Sequence, residues 1–366
     1  MKIFAAPDSF KGSMTAQEFC AVVKKVCDEK NIETMLFPMA DGGEGTIEAI
    51  TDALEGSYVY ADVTAPLGEK IKAKYGMLID GTAVMEMSQA SGIGYVKGRE
   101  DIFRASTIGT GEMLYNAIDK GVKKIIIGIG GSGTNDGGAG ALYALGVRFL
   151  DKENNQLFPY PDQLKHLARV DFSRLDKRLN DVEVIVASDV KNPLCGENGA
   201  SFVFGKQKGA SESDKPVLDE ILKNMARIIA ETTGVDHSEN EGAGAAGGLG
   251  FALMQLPDVT FRPGFEVIAE IVGIEEKMRK FAPDLVITGE GQLNFQSEMG
   301  KLPVEIAKMA RKNGFKCIAI AGAFGEGYEN CEKYFDGIYQ LMNENITAEY
   351  SINHAAELLE EKLKSL

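Results

Sequence analysis

The sequence is poor in the residues that build zinc sites and nucleic-acid interfaces. Its 366 residues include no tryptophan, three histidines and five cysteines, and no cysteine or histidine pair has the spacing of a zinc motif. Lysine and arginine are outnumbered by aspartate and glutamate, 39 to 54, which gives a formal charge of −15. Because so acidic a surface repels nucleic acid and anionic membranes, we expect neither as a partner. The five cysteines are predicted to be reduced thiols.

Long apolar runs and the Walker A motif are also missing from the sequence. No apolar stretch is long enough to span a bilayer, and the first one ends at Asp8, too early for a signal peptide. These features predict a cytoplasmic protein. No Gly-Lys-Ser or Gly-Lys-Thr triplet occurs, which excludes a P-loop nucleotide-binding protein. With 44% apolar residues over this length, we expect a folded chain of two domains.

Local patterns predict an α/β protein. Short apolar stretches alternate with amphipathic helices, which is typical of a largely parallel sheet. One helix is predicted to begin at Thr15, because Thr15 and Glu18 can form a capping box. The pattern changes near residue 57, where antiparallel strands of a second domain are predicted at 58–64, 70–79 and 82–87. Asp80 and Gly81 predict a two-residue hairpin turn between the last two strands.

The predicted strands end in small residues accompanied by an acid. These ends are Asp8-Ser9, Asp41-Gly-Gly-Glu44, residues 130–136, Asp189 and Gly289-Glu290-Gly291. Ligands of open α/β sheets lie beyond the carboxyl ends of the strands. Glycine allows close approach of the backbone, and the helix that follows offers N–H groups that suit a phosphate. Because several carboxylates at one edge repel each other, a bound Mg²⁺ is expected among them.

The glycine-rich segment 128–138 is compatible with two kinds of site. Gly128, Gly130 and Gly133 match a dinucleotide fingerprint, with Asp151 as the ribose-binding acid of an NAD-dependent dehydrogenase. A second glycine run at 242–248 matches the same fingerprint without a preceding strand, so the fingerprint is weak in this chain.

The other interpretation of segment 128–138 is a phosphate cradle. In it, Ser132, Thr134 and Asn135 donate hydrogen bonds, and Asp136 faces a metal ion or a hydroxyl group. Three lysines near the strand ends could contact phosphate or carboxylate: Lys11, Lys208 and Lys301. These residues alone leave both interpretations open.

Six strings of residues together resemble a known family. They are APDSFKG at 6–12, ADGGEGT at 40–46, GIGGSGTNDGGAG at 128–140, DVKNPL at 189–194, GAGAAGG at 242–248 and TGEG at 288–291. In this order they resemble the type I glycerate kinases, which phosphorylate D-glycerate at the 2-hydroxyl with ATP. The resemblance implies two α/β domains: a flavodoxin-like parallel-sheet domain from residues 1–62 and 283–366, and a larger inserted mixed-sheet domain from 63–282.

The resemblance also implies the chemistry and the ligands. We expect Mg²⁺-assisted in-line transfer of a phosphoryl group from ATP in the cleft between the two domains, giving 2-phosphoglycerate and ADP. The small-molecule partners are then D-glycerate and ATP, and the chain is expected to be a monomer or homodimer.

On this hypothesis the residues at the strand ends have four roles. The catalytic candidates, as base or as the cation for the glycerate carboxylate, are Asp189, Asp8, Asp41 and Lys11. The candidates for ATP phosphates are Gly130, Gly131, Ser132, Thr134, Asn135 and Lys208. The candidates for glycerate are Ser9, Lys11, Gly42, Gly43 and Glu44. The candidates for Mg²⁺ are Asp136, Asp189 and Glu290.

Three positions depart from the family pattern. Asn294 stands where an aspartate is expected, Glu241 stands where proline is common, and Lys191 occupies a variable position. If the missing carboxylate binds metal in the family, Asn294 predicts weaker Mg²⁺ binding or a different substrate. A third possibility is therefore a protein with this fold whose activity is lost or altered.

Overall fold

A computed structural model describes residues 1–10, 12–40, 42–43, 45–343 and 345–365. The strands are β1 (Lys2–Ala5), β2 (Glu33–Leu36), β3 (Ser57–Thr64), β4 (Lys70–Met77), β5 (Thr82–Glu86), β6 (Lys124–Gly128), β7 (Arg148–Leu150), β8 (Arg169–Asp171), β9 (Glu183–Ala187), β10 (Val259–Arg262), β11 (Leu285–Leu293), β12 (Cys317–Phe324) and β13 (Gly337–Gln340). Helices connect most of them, as the alternating pattern predicts.

The helices are α1 (Ala16–Glu29), α2 (Thr46–Ala53), α3 (Ser88–Ser91), α4 (Ile108–Asp119), α5 (Ala139–Ala144), α6 (Pro161–Leu164), α7 (Ala200–Phe204), α8 (Asp214–Thr233), α9 (Ala245–Leu253), α10 (Gly264–Val272), α11 (Ile274–Phe281), α12 (Leu302–Lys312), α13 (Ala348–Asn353) and α14 (Ala355–Ser365). Short 3-10 helices lie at Ile93–Tyr95, Lys177–Asp181, Lys206–Lys208, Ser297–Met299 and Tyr328–Tyr334. Among the described residues, no helix combines the length and the apolar character needed to cross a membrane.

The chain forms two units. The first comprises Met1–Asp41, Glu48–Ala53 and Phe265–Leu366, and the second comprises Gly42–Ile47 and Leu54–Gly264. The division near residue 54 differs from the expected one at 62, because β3 pairs with β4 from Ser57 to Thr64. The division at residue 265 precedes the expected one at 283, because helix α11 joins the first unit, where the rings of Phe281 and Phe4 lie 6.5 Å apart.

The first unit has a five-stranded parallel sheet in the order β13-β12-β11-β1-β2. Numbered within the unit, this is the flavodoxin-like order 2-1-3-4-5, which confirms the expected fold. Helix α1 begins as predicted: the Thr15 hydroxyl accepts from the Glu18 N–H, and the Glu18 carboxylate accepts from the Thr15 N–H. Its buried face, which includes Phe19 and Val23, packs into the core of this unit.

The second unit has a mixed sheet of six strands in the order β10-β9-β6-β5-β4-β3. Strands β10, β9, β6 and β5 pair in parallel, whereas β4 pairs antiparallel with both β5 and β3, as the change of pattern near residue 57 predicts. The hairpin between β4 and β5 forms, but its loop has three residues rather than two, since the Leu78 N–H bonds to the Thr82 carbonyl. Strands β7 and β8 form a separate antiparallel ribbon.

Glycines of the second unit allow chain segments to pass backbone against backbone. Gly128 ends β6, and a Cβ atom on it would lie 2.3 Å from the carbonyl oxygen of Gly42. A Cβ on Gly42 would lie 2.8 Å from the carbonyl oxygen of Ala187 at the end of β9. Farther along, a Cβ on Gly247 would lie 2.0 Å from the carbonyl oxygen of Thr134. Any residue larger than glycine would clash with the backbone at these contacts.

Replacing Gly128 should destabilise the protein by overpacking. The change Gly128→Ala puts a methyl group against backbone that cannot rotate away, and we expect a loss of about 1–3 kcal/mol in the free energy of unfolding. Urea denaturation followed by circular dichroism measures the loss. The control is Gly94→Ala, since Gly94 is exposed and a Cβ there would meet nothing within 4 Å. Equal midpoints for the two variants would contradict the close-contact explanation.

Candidate active site

A cavity in the first unit lies at the carboxyl ends of its parallel strands. Its volume is about 390 Å³. Residues after β1, along β11 and β12, and after β13 line it, and helices α13 and α14 complete its wall. It includes the position between β1 and β11. On one side of this position the chain continues from β1 to β2, and on the other side it continues from β11 to β12 and β13. This switch point is where flavodoxin-like folds bind ligands.

The polar part of this cavity centres on Glu290. Its side chain is 5% exposed and lies in β11, with Ser297 donating to Oε1 and Lys301 Nζ 3.4 Å from Oε2. Lys301 caps helix α12 and follows Gly300, whose φ of 97° is a left-handed conformation that suits glycine. The lysine and the hydroxyl compensate a carboxylate that would otherwise be costly to bury.

Asp8 and Ser9 line the same cavity. The Asp8 N–H donates to the Gly289 carbonyl at 2.8 Å, which ties the end of β1 to β11. One Asp8 carboxylate oxygen accepts from the Ser9 N–H at 2.7 Å, and Asp8 is 6% exposed. The structure therefore brings Asp8, Ser9 and Glu290 to one cavity, as the strand-end pattern predicts. Such carboxylates can accept a proton or hold a cation.

A second group of candidates lies at one edge of the sheet in the second unit. Gly128 of β6 is in register with Ala187 of β9, so the segments that follow these strands leave the sheet side by side. Asp189 is exposed there, and its Oδ1 accepts from the Gly264 N–H at 3.2 Å. Gly42 lies against Ala187, and Gly130 lies against Gly43. Gly42, Gly43, Gly130, Gly131 and Asp189 therefore share this edge.

Asp136 is not placed to face a metal ion. It is fully buried, and its Oδ2 accepts from the Ser106 hydroxyl at 3.1 Å, from the Thr107 N–H and hydroxyl at 2.8 Å each, and from the Gly140 N–H at 3.1 Å. Its Oδ1 accepts from the Gly138 N–H at 3.1 Å. Burial raises the pKa of Asp136, while these hydrogen bonds act in the opposite direction. The side chain fixes the glycine-rich segment to the start of helix α4, which sequence reasoning did not foresee.

Lys208 is also not placed to contact a phosphate. Only 1% of it is exposed, and its Nζ donates to the Thr134 carbonyl at 2.7 Å. Burial lowers the pKa of Lys208 from 10.5 to about 7, and the negative charge of Asp136 opposes this shift. Lys208 therefore supports the glycine-rich segment from inside the unit.

The hydroxyl of Thr134 and the amide of Asn135 face the interior as well. Thr134 is fully buried and Asn135 is 1% exposed, with its Nδ2 donating to the Ser201 hydroxyl at 2.9 Å. Within the described part of the chain, Thr134 Oγ1 and Asn135 Oδ1 have no hydrogen-bond partner. These side chains cannot reach a phosphate in this conformation, so the accessible part of the cradle is limited to Gly130, Gly131 and the 8% exposed Ser132.

Glu86 is a residue that the sequence analysis missed. It ends β5 beside Gly128 and is 1% exposed, and its Oε1 accepts from the Ile47 N–H at 2.9 Å. Its Oε2 accepts from the Ser88 hydroxyl at 3.2 Å. The sequence could have indicated this residue, because Glu86 is an acid at the end of a largely apolar strand, as at the other strand ends.

Three predicted site residues, Lys11, Asp41 and Glu44, lie outside the described residues. Within the described ranges, no group of three or more histidine, cysteine, aspartate or glutamate side chains is arranged to hold a metal ion. The assignment of these three residues stays a prediction.

The dehydrogenase interpretation is wrong for this fold. It needs Asp151 at the end of the next parallel strand beside β6, but Asp151 follows β7, which pairs antiparallel with β8 in the separate ribbon. The Asp151 carboxylate is bound within its own turn, accepting from the N–H groups of Glu153 and Asn155 at 2.8 Å each.

Comparisons with known proteins agree with the fold. The sequence profile of the glycerate kinase family matches residues 3–366. A glycerate kinase from Halalkalibacterium halodurans is 42% identical over 369 residues, covering 100% of this chain and 97% of that protein. The glycerate 2-kinase of Escherichia coli K12 is 43% identical over 327 residues, covering 88% of this chain and 85% of that protein. A crystal structure described as a glycerate kinase 2 from Salmonella typhimurium LT2 is 39% identical, with a TM-score of 0.85 and coverage of 100% and 96%.

The fold and the acids at its strand ends define an α/β enzyme with a flavodoxin-like unit and a mixed-sheet insertion. Together with the match along nearly the whole chain, they place the protein in a family of kinases. The chain belongs to the glycerate kinase family.

The buried lysine should make stability depend on pH. Since the pKa of Lys208 is about 7 in the folded protein and 10.5 ordinarily, the unfolded chain binds more protons between these values. Raising the pH from 7 to 9 should therefore stabilise the wild type relative to Lys208→Met, by up to about 1.4 kcal/mol per pH unit. Urea denaturation of both proteins at several pH values measures the difference.

The control for this experiment is Lys206→Met, which removes an exposed lysine two residues earlier. Its stability should follow that of the wild type across the pH range. A constant difference in stability between the wild type and Lys208→Met at all pH values would contradict this prediction, because it would show that folding does not lower the pKa of Lys208.

Proposed function

We propose that the protein transfers the γ-phosphoryl group of ATP to the 2-hydroxyl of D-glycerate, forming 2-phosphoglycerate and ADP. The observation that carries this proposal is membership of the glycerate kinase family along residues 3–366, with a relative named glycerate 2-kinase at 43% identity. The acids and glycines gathered at the carboxyl edges of both sheets are compatible with phosphoryl transfer, which depends on positioning and charge neutralisation.

The phosphates of ATP are assigned to the backbone of residues 130–132. Gly131 is exposed and has a φ of 71°, and Gly130 is partly exposed. The hydrogen bonds found among the described residues do not use the N–H groups of Gly130, Gly131 or Ser132. Backbone N–H groups without partners suit anionic oxygens, and they need no basic side chain in an acidic protein.

Asp189 is the residue that best fits Mg²⁺. Its carboxylate is exposed at the same sheet edge as Gly130 and supplies hard oxygen atoms, whereas Asp136 is fully buried. Mg²⁺ is commonly bound through one or two carboxylates together with substrate phosphates. When bound, the ion would neutralise charge on the phosphate groups. Glu290 and Asp136 are weaker candidates, because both carboxylates are buried.

The acceptor is assigned to the strand-end residues with polar side chains. Ser9 and Lys11 are proposed for the glycerate carboxylate, with Gly42, Gly43 and Glu44 beside the substrate. Asp8, Asp41 or Asp189 accepts the proton of the 2-hydroxyl as its oxygen bonds to the γ-phosphorus. The bond from that phosphorus to the bridging oxygen breaks, and ADP leaves with the electron pair.

Asn294 bears on the alternative of lost or altered activity. Its Oδ1 accepts from the Gln296 N–H at 2.9 Å, and its backbone N–H donates to the Ser297 hydroxyl at 3.1 Å. An aspartate oxygen could accept the same bond, so the turn is compatible with either residue. An amide at this position lacks the negative charge of a carboxylate, while the turn can form with either side chain.

An assay of ADP release tests the reaction. With Mg²⁺ and ATP, we expect D-glycerate to release ADP faster than L-glycerate, lactate or glycolate, and phosphorus NMR should identify 2-phosphoglycerate. Formation of 3-phosphoglycerate would contradict the assigned hydroxyl. Absence of ADP release with every acid would support the alternative in which activity is lost.

Asp189→Asn tests the assignment at the sheet edge. Because the amide has no charge for Mg²⁺ or for a proton, kcat should fall by a factor of about 10²–10⁴ with unchanged thermal stability. The matched control is Asp258→Asn, an exposed aspartate immediately before β10 in the same unit. Wild-type turnover in Asp189→Asn would remove this residue from the mechanism.

A further inference from the structure

The cavity of the first unit is larger than its proposed acid substrate requires. Its volume of about 390 Å³ falls within the range of roughly 300–1,000 Å³ typical of sites for drug-sized ligands. It extends from residues after β1 to residues after β13, and three strand spacings separate these strands, or roughly 14 Å. A three-carbon acid occupies only a fraction of such a cavity.

The two ends of the cavity differ in chemistry. Near β1 and β11 it is lined by Asp8, Glu290 and Lys301. Toward β13 it is lined by apolar side chains that include Leu341, Met342, Ile352 and Ala355. A ligand that fills it must therefore have an apolar part and a polar part.

Charge argues against an anion in the apolar end. The ionisable lining among the described residues consists of Asp8, Glu290 and Lys301, and the Lys301 ammonium already lies 3.4 Å from Glu290. The described lining thus has a net negative charge and offers no cation beside Leu341 and Ile352. Glycerate and phosphate groups would be repelled there, whereas an uncharged, partly apolar group would not.

The apolar end also offers polar atoms that a heterocycle can use. Ser351 is 8% exposed and lines the cavity, and its hydroxyl makes no hydrogen bond to the described residues. The loop that bears Phe10 is held close, because the Ser13 hydroxyl donates to the Ile352 carbonyl at 2.8 Å. The Phe10 ring lies on the backbone at Gly322, where a Cβ would be 3.4 Å from it. Apolar and aromatic walls with a few polar atoms are typical of sites for small molecules and cofactors.

We propose that this cavity binds the nucleoside moiety of ATP, with the base at the end formed by Leu341, Met342, Ser351 and Ile352. The proposal rests on the proposed use of ATP as phosphoryl donor. The nucleoside is uncharged, partly apolar and large enough to use the cavity, whereas glycerate is anionic and small. The carboxylates of Asp8 and Glu290 lie at the opposite end.

Cysteine protection tests the site without requiring turnover. In Ser351→Cys, the new thiol should react with iodoacetamide, and ADP should slow that reaction at least ten-fold. The wild type is the reference for background labelling, since its cysteines are buried apart from the partly buried Cys195. Adenosine should protect as ADP does at saturation, and pyrophosphate should not. Protection by glycerate or pyrophosphate but not by adenosine would overturn the proposal.

A cavity-filling variant provides the kinetic test. Ser351→Phe should raise the KM for ATP at least ten-fold and leave the KM for glycerate unchanged. The matched control is Glu349→Phe, which puts the same side chain at an exposed position of α13 that does not line the cavity. A raised KM for glycerate with an unchanged KM for ATP would place the acid at the apolar end of the cavity and overturn the proposal.

The two proposals fail in different ways. If adenosine and ADP protect Ser351→Cys while no phosphoglycerate forms, the nucleoside site stands and the glycerate reaction fails. If phosphoglycerate forms from ATP while neither ligand protects the thiol, the reaction stands and the nucleoside site fails. Thermal melting of Ser351→Cys and Ser351→Phe against Glu349→Phe confirms that folded proteins are compared.

Discussion

Direct backbone contact between glycine-rich segments is the constraint on which the second unit depends. Gly128 passes against Gly42, and Gly247 passes against Thr134, at distances that leave no space for a Cβ atom. The Gly137 N–H also donates to the Gly247 carbonyl at 3.0 Å. These contacts fix where the segments after β6 and β9 leave the sheet, and so they fix the edge at which Asp189 lies. Most glycines of these runs are explained by packing, and only Gly130 and Gly131 keep backbone open to a ligand.

Buried charge holds the same segment from the inside. Asp136 accepts hydrogen bonds from Thr107, Gly138 and Gly140, and Lys208 donates to the Thr134 carbonyl. Burying such groups is unfavourable unless they are paired or hydrogen-bonded. Removing one partner therefore leaves the other buried without compensation for its lost hydration, which destabilises the fold. The polar side chains of the segment therefore shape the backbone, and the backbone provides the donors that remain for a phosphate.

Sequence patterns predicted the features that depend on neighbours along the chain. The capping box at Thr15, the hairpin after β4 and the parallel pairing in the first sheet follow from local spacing and strand–helix alternation, whereas the flavodoxin-like order was implied by the family resemblance. Long-range packing was not predictable in the same way. Phe281 belongs to the first unit because its ring packs near that of Phe4, a residue far away in the sequence. The burial of Asp136 and Lys208 was missed for the same reason, since an acid or lysine beside glycines looks identical whether it faces solvent or the interior.

The side chain at position 294 affects the charge of the cavity in the first unit. Asn294 lines the same cavity as Asp8 and Glu290, where the described charges already sum to a negative value. A carboxylate at this position would add repulsion toward an anionic ligand and attraction toward a cation. The amide keeps the bond to the Gln296 N–H while removing both effects. An amide at position 294 is therefore expected to bind a cation less strongly, and to repel an anionic substrate less, than the aspartate that the family resemblance implies there.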